Sequence, residues 1–203
     1  MPFPRPDAKC VNGRRRYHAI NKSVSVRCFV RLERKYTPLP LFTDSTVGDM
    51  KLSPRLFKLM LNCYPPYIGA GVKVDYVSPD WQQLQVSMPL RWYNRNAVGT
   101  HFGGSLYSMV DPHIMLLLMQ IFGKDYLIWD KSADIEFIKP GQSKVTAVMT
   151  ISDEDIQNIC DKTANGDKYF AHFTVDIVDA SKQLVSRVRK VIYIRKKPQA
   201  RAK

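Results

Sequence analysis

Downstream of residue 71 the chain alternates between apolar and polar positions. Val72, Val74 and Tyr76 are separated by Lys73 and Asp75. After the turn Ser78-Pro79-Asp80, Leu84, Val86, Met88 and Leu90 alternate with Gln85, Ser87 and Pro89. A period of two is that of half-buried strands, and the short turn between them predicts an antiparallel pair. Pro89 puts the end of the second strand at an edge or a terminus. The pattern returns in the second half, where 126–138, 144–151, 168–178 and 184–194 read as strands. Lys139-Pro140-Gly141 and Asp179-Ala180-Ser181 supply hairpin turns between them.

Three segments have a helical pattern instead. Ser53-Pro54 offers an N-cap and a first-turn proline, and Leu56, Phe57, Met60 and Leu61 follow at helical spacing. Tyr64-Pro65-Pro66-Tyr67 is expected to end that helix, because neither proline donates a hydrogen bond. Ser152, followed by Asp153, Glu154 and Asp155, predicts a short helix that stops near Asn165-Gly166. The third segment, 103–123, is apolar over nearly its whole circumference after Pro112. Such a helix is expected to be buried on all sides. In a chain of 203 residues that implies a sheet curled around it. The order predicts an α+β fold, an antiparallel sheet wrapped around a long central helix.

Residues 1–49 differ from the rest. They hold ten Lys/Arg against four acidic residues, with the run Arg14-Arg15-Arg16 and prolines at 2, 4, 6, 38 and 40. Only 24–32 resembles a strand, and Arg27 and Arg31 interrupt it. This stretch reads as a basic N-terminal extension, disordered or dispensable, with the domain proper at 50–203. An organellar targeting arm or an anion-binding arm are the alternatives. The formal net charge of +13 favours an anionic partner, such as nucleic acid, a membrane surface or a phosphorylated small molecule, unless it serves solubility. Four scattered cysteines, at 10, 28, 63 and 160, form no C-x-x-C pair and fit a reducing compartment. The first residues hold three prolines and no apolar core, so no secretory signal is expected, and no uninterrupted apolar run reaches the ~18 residues of a membrane span. A cytoplasmic location follows as the expectation.

The chemistry concentrates in 94–123. Gly103 and Gly104 open the long helix, where N–H groups lack intrahelical partners and lie at the positive end of the dipole. They suit a carbonyl oxyanion, or they simply make a tight turn. Asp111 is a carboxylate inside an apolar segment, which is costly unless it is paired or used. It is a base or ligand-binding group, or the N-cap of a helix starting at Pro112. Asn96 either hydrogen-bonds a substrate or structures its loop. His101 could orient substrate, and His113, two residues from Asp111, reads as a satisfied core or interface histidine. Tyr107, Met109 and Met115 are core, or line an acyl pocket. No P-loop, G-x-G-x-x-G or metal-ligand cluster is present, so no metal and no bound cofactor are expected. The basic residues do not coincide with an exposed aromatic platform, which disfavours nucleic acid.

These residues carry a resemblance to the hotdog-fold thioesterase superfamily, most closely to the phenylacetate-pathway acyl-CoA thioesterases. Asn96, Gly99, Thr100, Gly103, Gly104 and Asp111 fall on that branch's N-x-x-G-T-x-H-G-G motif and the carboxylate eight residues past the first paired glycine. The turn Phe137-Ile138-Lys139-Pro140-Gly141 also matches. The histidine before the glycine pair is replaced by Phe102, and a histidine stands one place earlier at His101. This T-H-F-G-G variant resembles a less characterised subfamily. The resemblance covers roughly 50–195. It implies hydrolysis of acyl-CoA-type thioesters, with Asp111 activating water and Gly103/Gly104 amides holding the carbonyl. It implies Asn96 at the carbonyl or the attacking water. His101, Phe102, Asp130 and Lys131 would stand at the substrate, Asp130 reaching it from the partner subunit. It also implies a homodimer or dimer of dimers, with coenzyme A thioester as substrate. Arg91, Arg95, Lys131 and Lys139 are candidates for its phosphates. The alternatives are a hydro-lyase using His101 with Asp111, and a non-catalytic acyl-ligand-binding protein.

Overall fold

The structure, a computed structural model, describes residues 24–26 and 52–198. Most of the basic extension, with Cys10, Cys28 and the arginine run, lies outside the described residues. Strand β1 (Val24–Val26) comes from that extension and pairs antiparallel with 133–135.

Ser53 caps α1 (Pro54–Asn62), its hydroxyl accepting from the Leu56 N–H. The two prolines that were expected only to end this helix also start the next, α2 (Pro65–Ala70), with Tyr64 as N-cap. Their missing N–H groups fall where a helix has no intrahelical acceptor to offer, so proline opens a helix as readily as it closes one. Asn62 then ties the helix pair to β2 (Lys73–Val77): its side chain donates to the Val74 carbonyl at 3.0 Å and accepts from the Val74 N–H at 2.8 Å.

The remaining strands are β3 (Gln83–Met88), β4 (Tyr126–Phe137), β5 (Val145–Thr150), β6 (Lys168–Asp179) and β7 (Leu184–Lys196). The sheet runs β1-β4-β7-β6-β5-β3-β2, every neighbour antiparallel. Alternate residues enter the core, as on β5, where Val145, Ala147 and Met149 are buried while Val148 and Thr150 are exposed. Helix α5 (Asp153–Thr163) begins with a capping box in which Ser152 and Asp155 bond each other reciprocally.

The central helix is two helices. Six residues form α3 (Gly103–Ser108) and ten form α4 (His113–Phe122), with turns at 109–112 between them. Pro112 cannot donate the bond that would carry the helix through. Across the break the Asp111 N–H donates to the Tyr107 carbonyl at 2.9 Å. By length and composition the span Gly103–Asp125 would pass as a membrane-crossing helix, at mean hydropathy 1.3. Here it is interrupted by this break and packs against the sheet.

Burial on all sides is not reached among the described residues. His113, Ile114, Leu117 and Leu118 are buried, but Met115, Leu116, Met119, Ile121 and Phe122 remain half-exposed. Among the described residues the sheet covers one face of this apolar helix fully and leaves the other partly buried.

Candidate functional site

The break in the central helix places Asp111 over the sheet. Its carboxylate does not cap α4, whose N-cap is Pro112 with no side-chain bond. It turns instead to Lys190, with Nζ 3.4 Å from Asp111 Oδ1. Lys190 stands on β7 among inward-facing Val188, Ile192 and Ile194, and its side chain is 0% exposed. A second carboxylate approaches from β4: Asp130 Oδ1 lies 2.8 Å from the same Nζ as an ion pair, without hydrogen-bond geometry.

A β-bulge makes this geometry. Asp130 is opposite Ile192, and Ser132 is opposite Val191, so Lys131 is the extra residue. Ile128 and Asp130 face inward before the bulge, and Ala133 and Ile135 after it, opposite Lys190 and Val188. In a regular strand residues three apart point to opposite faces, and the bulge is what puts Asp130 and Ala133 on the same one. Lys131 itself is exposed.

Two aromatic groups complete the cluster. Tyr67 of α2 is buried, and its ring centroid is 5.3 Å from that of His113. Among the described residues the Tyr67 hydroxyl has no hydrogen-bond partner, and burial first, then the neighbouring acidic groups of Asp111, Tyr64 and Asp130, raise its pKa far above the ordinary phenol value. The His113 imidazole is pushed down to about 3, by burial first and then by the Lys190 charge. It is therefore neutral at physiological pH, and among the described residues neither nitrogen makes a well-formed hydrogen bond, although the Met109 carbonyl is near. The expected core histidine is in the core but is not satisfied. Burial raises the Asp130 pKa, the Lys190 cation opposes this, and the Asp111 charge adds to it.

An apolar cavity of about 200 Å³ adjoins this cluster, lined by residues of α1, α2 and α4. Tyr67 and Pro112 are in its wall with Phe57, Leu61 and Leu116. Of the residues considered for an acyl pocket, Met109 is fully buried core, and Tyr107 and Met115 are half-buried against it.

The glycine loop lies at the other end of α3. Gly103 and Gly104 open that helix, and the first intrahelical bond is donated by Leu106 to the Phe102 carbonyl. Both glycines sit under aromatic rings: a Cβ on Gly103 would meet Phe137 Cζ at 2.9 Å, and one on Gly104 would meet Phe102 Cε1 at 2.5 Å. Phe102 and Phe137 are themselves about half-exposed. Asn96 spends its side chain locally, accepting from the Val98 and Thr100 N–H groups and donating to Thr100 Oγ1 at 2.8 Å and to the His101 carbonyl.

His101 does not face Asp111. It is buried, its Nε2 bonds the Ser143 carbonyl at 2.8 Å, and its backbone N–H bonds the Gly141 carbonyl. Its ring lies beside Gly141 and Val185. Val185 is five strand residues from Lys190, about 16 Å. Burial, opposed by the Ser143 carbonyl, lowers its pKa. Lys139, a candidate for substrate phosphates, is paired with Asp179 at 2.5 Å and bonded to Gln183.

The structure thus brings Asp111 and Asp130 together and separates both from the glycine loop. Seven residues of helix and turn part Asp111 from Gly104, about 10 Å along a helix axis. Lys190, Tyr67 and the β4 bulge were not picked out from the sequence. A signal for Lys190 existed: a lysine at the apolar parity of a strand, between Val188 and Ile192.

Residues 53–194 match the family described as Domain of unknown function (DUF4442), and the chain belongs to that family. Its fold is the hotdog fold. Among solved structures, it is similar to a Pseudomonas aeruginosa protein of unknown function described as a probable thioesterase. That match has 15% identity and a TM-score of 0.62, over 74% of this chain and 100% of the other. A Haemophilus influenzae thioesterase matches at 12% identity and TM-score 0.55, over 77% and 99% of the two chains. Mouse thioesterase superfamily member 2 matches at 15% identity and TM-score 0.50, over 71% and 98%. No curated protein matches the chain.

Proposed function

We propose that this protein is a thioester hydrolase acting on acyl-CoA-type substrates, with Asp111 as the base. The observation that carries the reading is a half-exposed carboxylate at a break in the central helix, held by a fully buried lysine beside an apolar cavity. In the proposed step a water molecule attacks the thioester carbonyl carbon while Asp111 takes its proton. The tetrahedral oxyanion is held by the Gly103 and Gly104 amides at the positive end of α3. Collapse breaks the carbon–sulfur bond, and the proton held by Asp111 passes to the leaving thiolate. A free acid and a thiol result.

The acyl group would lie in the cavity lined by Tyr67, Leu61, Leu116 and Pro112. Its volume of about 200 Å³ is somewhat larger than that of an engineered cavity, about 150 Å³, that admits benzene. Short-chain or aromatic acyl groups therefore fit best. Arg91, Arg95 and Lys131 remain candidates for the phosphates of coenzyme A.

The working unit in this proposal is a homodimer, alone or paired again. Two observations support it. The outward face of α4 is apolar and half-exposed. The amides and the carboxylate are about 10 Å apart along the helix axis, which fits the arrangement that the resemblance implies, amides from one subunit and Asp111 from the other.

The test is a panel of acyl-CoAs assayed with the wild type and Asp111→Ala. Hydrolysis by the wild type and a loss of 10²-fold or more in the variant is expected. No hydrolysis by either, with acyl-CoA bound equally by both, would instead favour a non-catalytic acyl-binding protein on the same cavity. The hydro-lyase reading finds no support within a protomer, because the His101 ring is engaged at Ser143 and directed away from Asp111.

A further inference from the structure

We propose that Lys190 and Asp130 are positioning residues that act on Asp111 in opposite directions, the lysine attracting its carboxylate and the second aspartate competing for that lysine. The catalytic consequence rests on the hydrolase reading above; the electrostatic arrangement does not.

A lysine with no exposed side-chain surface in the middle of a sheet is expensive. Its ammonium loses hydration, and only close carboxylates offset that. A methionine would fill the space between Val188 and Ile192 without that cost. Lys190 meets two carboxylates, and the two contacts are unequal. Asp130 is on a strand, 28% exposed, and 2.8 Å away. Asp111 is on a helix break, 46% exposed, and 3.4 Å away. Asp130 is the closer and more buried counter-ion of Lys190, while the long hydrogen bond that Lys190 donates goes to Asp111. Asp111 is left loosely held and open to solvent, which is what a group that must accept and release a proton requires.

The cluster carries one positive and two negative charges. A proton on Asp111 removes one negative charge and leaves Lys190 and Asp130 balanced. Lys190 opposes that protonation and Asp130 favours it. The groups on the neighbouring elements do not reverse this balance. His113, on α4, stays neutral because of its burial, and the Tyr67 hydroxyl, on α2, keeps its proton. Across the sheet Lys190 is flanked by Phe173 on β6 and Ala133 on β4, neither charged. The consequence is a base tuned between two fixed charges, each of which has a predictable sign of effect.

The experiment is a carbon-13 NMR titration of the aspartate carboxyls in the full chain, with the Asp111 signal assigned from Asp111→Asn. In Lys190→Met the Asp111 midpoint is expected to rise by about one to three units relative to wild type. In Asp130→Asn it is expected to fall, because Lys190 is then left to Asp111 alone. Lys190→Arg keeps the charge and should titrate nearly as the wild type does. Shifts of the same sign in Lys190→Met and Asp130→Asn, or no shift in Asp130→Asn, would overturn the proposal. Should Lys190→Met not fold, the fall in Asp130→Asn decides by itself, and its absence overturns the proposal. In parallel, the acid limb of kcat/KM on acyl-CoA should move with the Asp111 midpoint in each variant. A wild type that hydrolyses no acyl-CoA would sink the hydrolase reading and leave the titration result standing.

Discussion

His113 and Tyr67 pack ring to ring, centroids 5.3 Å apart, with both side chains closed off from solvent. Each brings polar atoms into the core without a well-formed hydrogen bond. This is a concentration of unsatisfied polarity of the kind that stable cores avoid and functional sites retain.

The pair has a consequence for acid stability. The His113 imidazole is pushed down to about 3 in the folded chain, against about 6.5 when unfolded. A group with a depressed folded value contributes stability that is fully present above the unfolded value and is lost as pH falls toward the folded one. Unfolding free energy should therefore drop between about pH 6.5 and pH 3, with His113 accounting for at most about 5 kcal/mol. Asp130 has the opposite sign: its raised value gives stability at acid pH that is lost as pH rises through its folded value. Urea unfolding of the wild type and His113→Phe at pH 7 and pH 4 checks this. A variant with the same pH slope as the wild type would show that His113 is not the sensitive group.

His101 should behave as a structural residue. His101→Ala removes the partner of the Ser143 carbonyl and is expected to cost about 1–3 kcal/mol of stability. The shape of the pH–rate profile should not change. Loss of one limb of that profile would put His101 in the chemistry after all.

The glycine pair predicts a steric cycle. Gly103→Ala places a methyl group against the Phe137 ring at 2.9 Å, an overpacking expected to cost about 1–3 kcal/mol. Phe137→Ala in the same chain should return more than half of that loss, measured as a coupling in a double-mutant unfolding cycle. Additive effects would show that the ring moves aside freely.

Subunit complementation tests the divided site. Asp111→Asn and Gly103→Val should each be inactive alone. Mixed after co-refolding, they should regain about a quarter of wild-type activity, because half of the dimers are mixed and each mixed dimer has one intact site. No recovery would mean that the amides and Asp111 act within one protomer.

The cavity should set chain length. Leu61→Trp narrows the space between α1 and α4. It is expected to lower kcat/KM for octanoyl-CoA by roughly tenfold or more while acetyl-CoA is hydrolysed as before, since each methylene in an apolar pocket is worth about 1–3 kcal/mol. An equal loss on both substrates would place the acyl chain elsewhere.

Much of the architecture was legible from local pattern. Strand parity from 72 to 194, the Ser53 and Ser152 caps and the β6–β7 hairpin at 179–183 depend on neighbours a few residues apart, and these elements formed close to the expected limits. The hairpin expected at Lys139-Pro140-Gly141 did not form: β4 and β5 are not neighbours in the sheet, because β7 and β6 lie between them, and strand order is a long-range property. The helix break was half-legible. Pro112 announced it, but whether Asp111 would cap the next helix or turn away depended on what lay opposite. The prolines after Tyr64 were misread, because the same missing N–H that ends one helix suits the first turn of another.

The glycine pair and Asp111 could be found from their residue types and spacing, because a turn and a lone carboxylate among apolar residues are properties of a short stretch. Lys190 is 79 residues from Asp111 along the chain, and only sheet register brings them within 3.4 Å. That register includes one extra residue in β4, and a bulge leaves no mark on the alternation of a strand already mixed in polarity. The sequence therefore determined which groups were available for chemistry. Pairing across the sheet decided which carboxylates share a cation, because long-range contacts follow strand register and the packing of a broken helix above it.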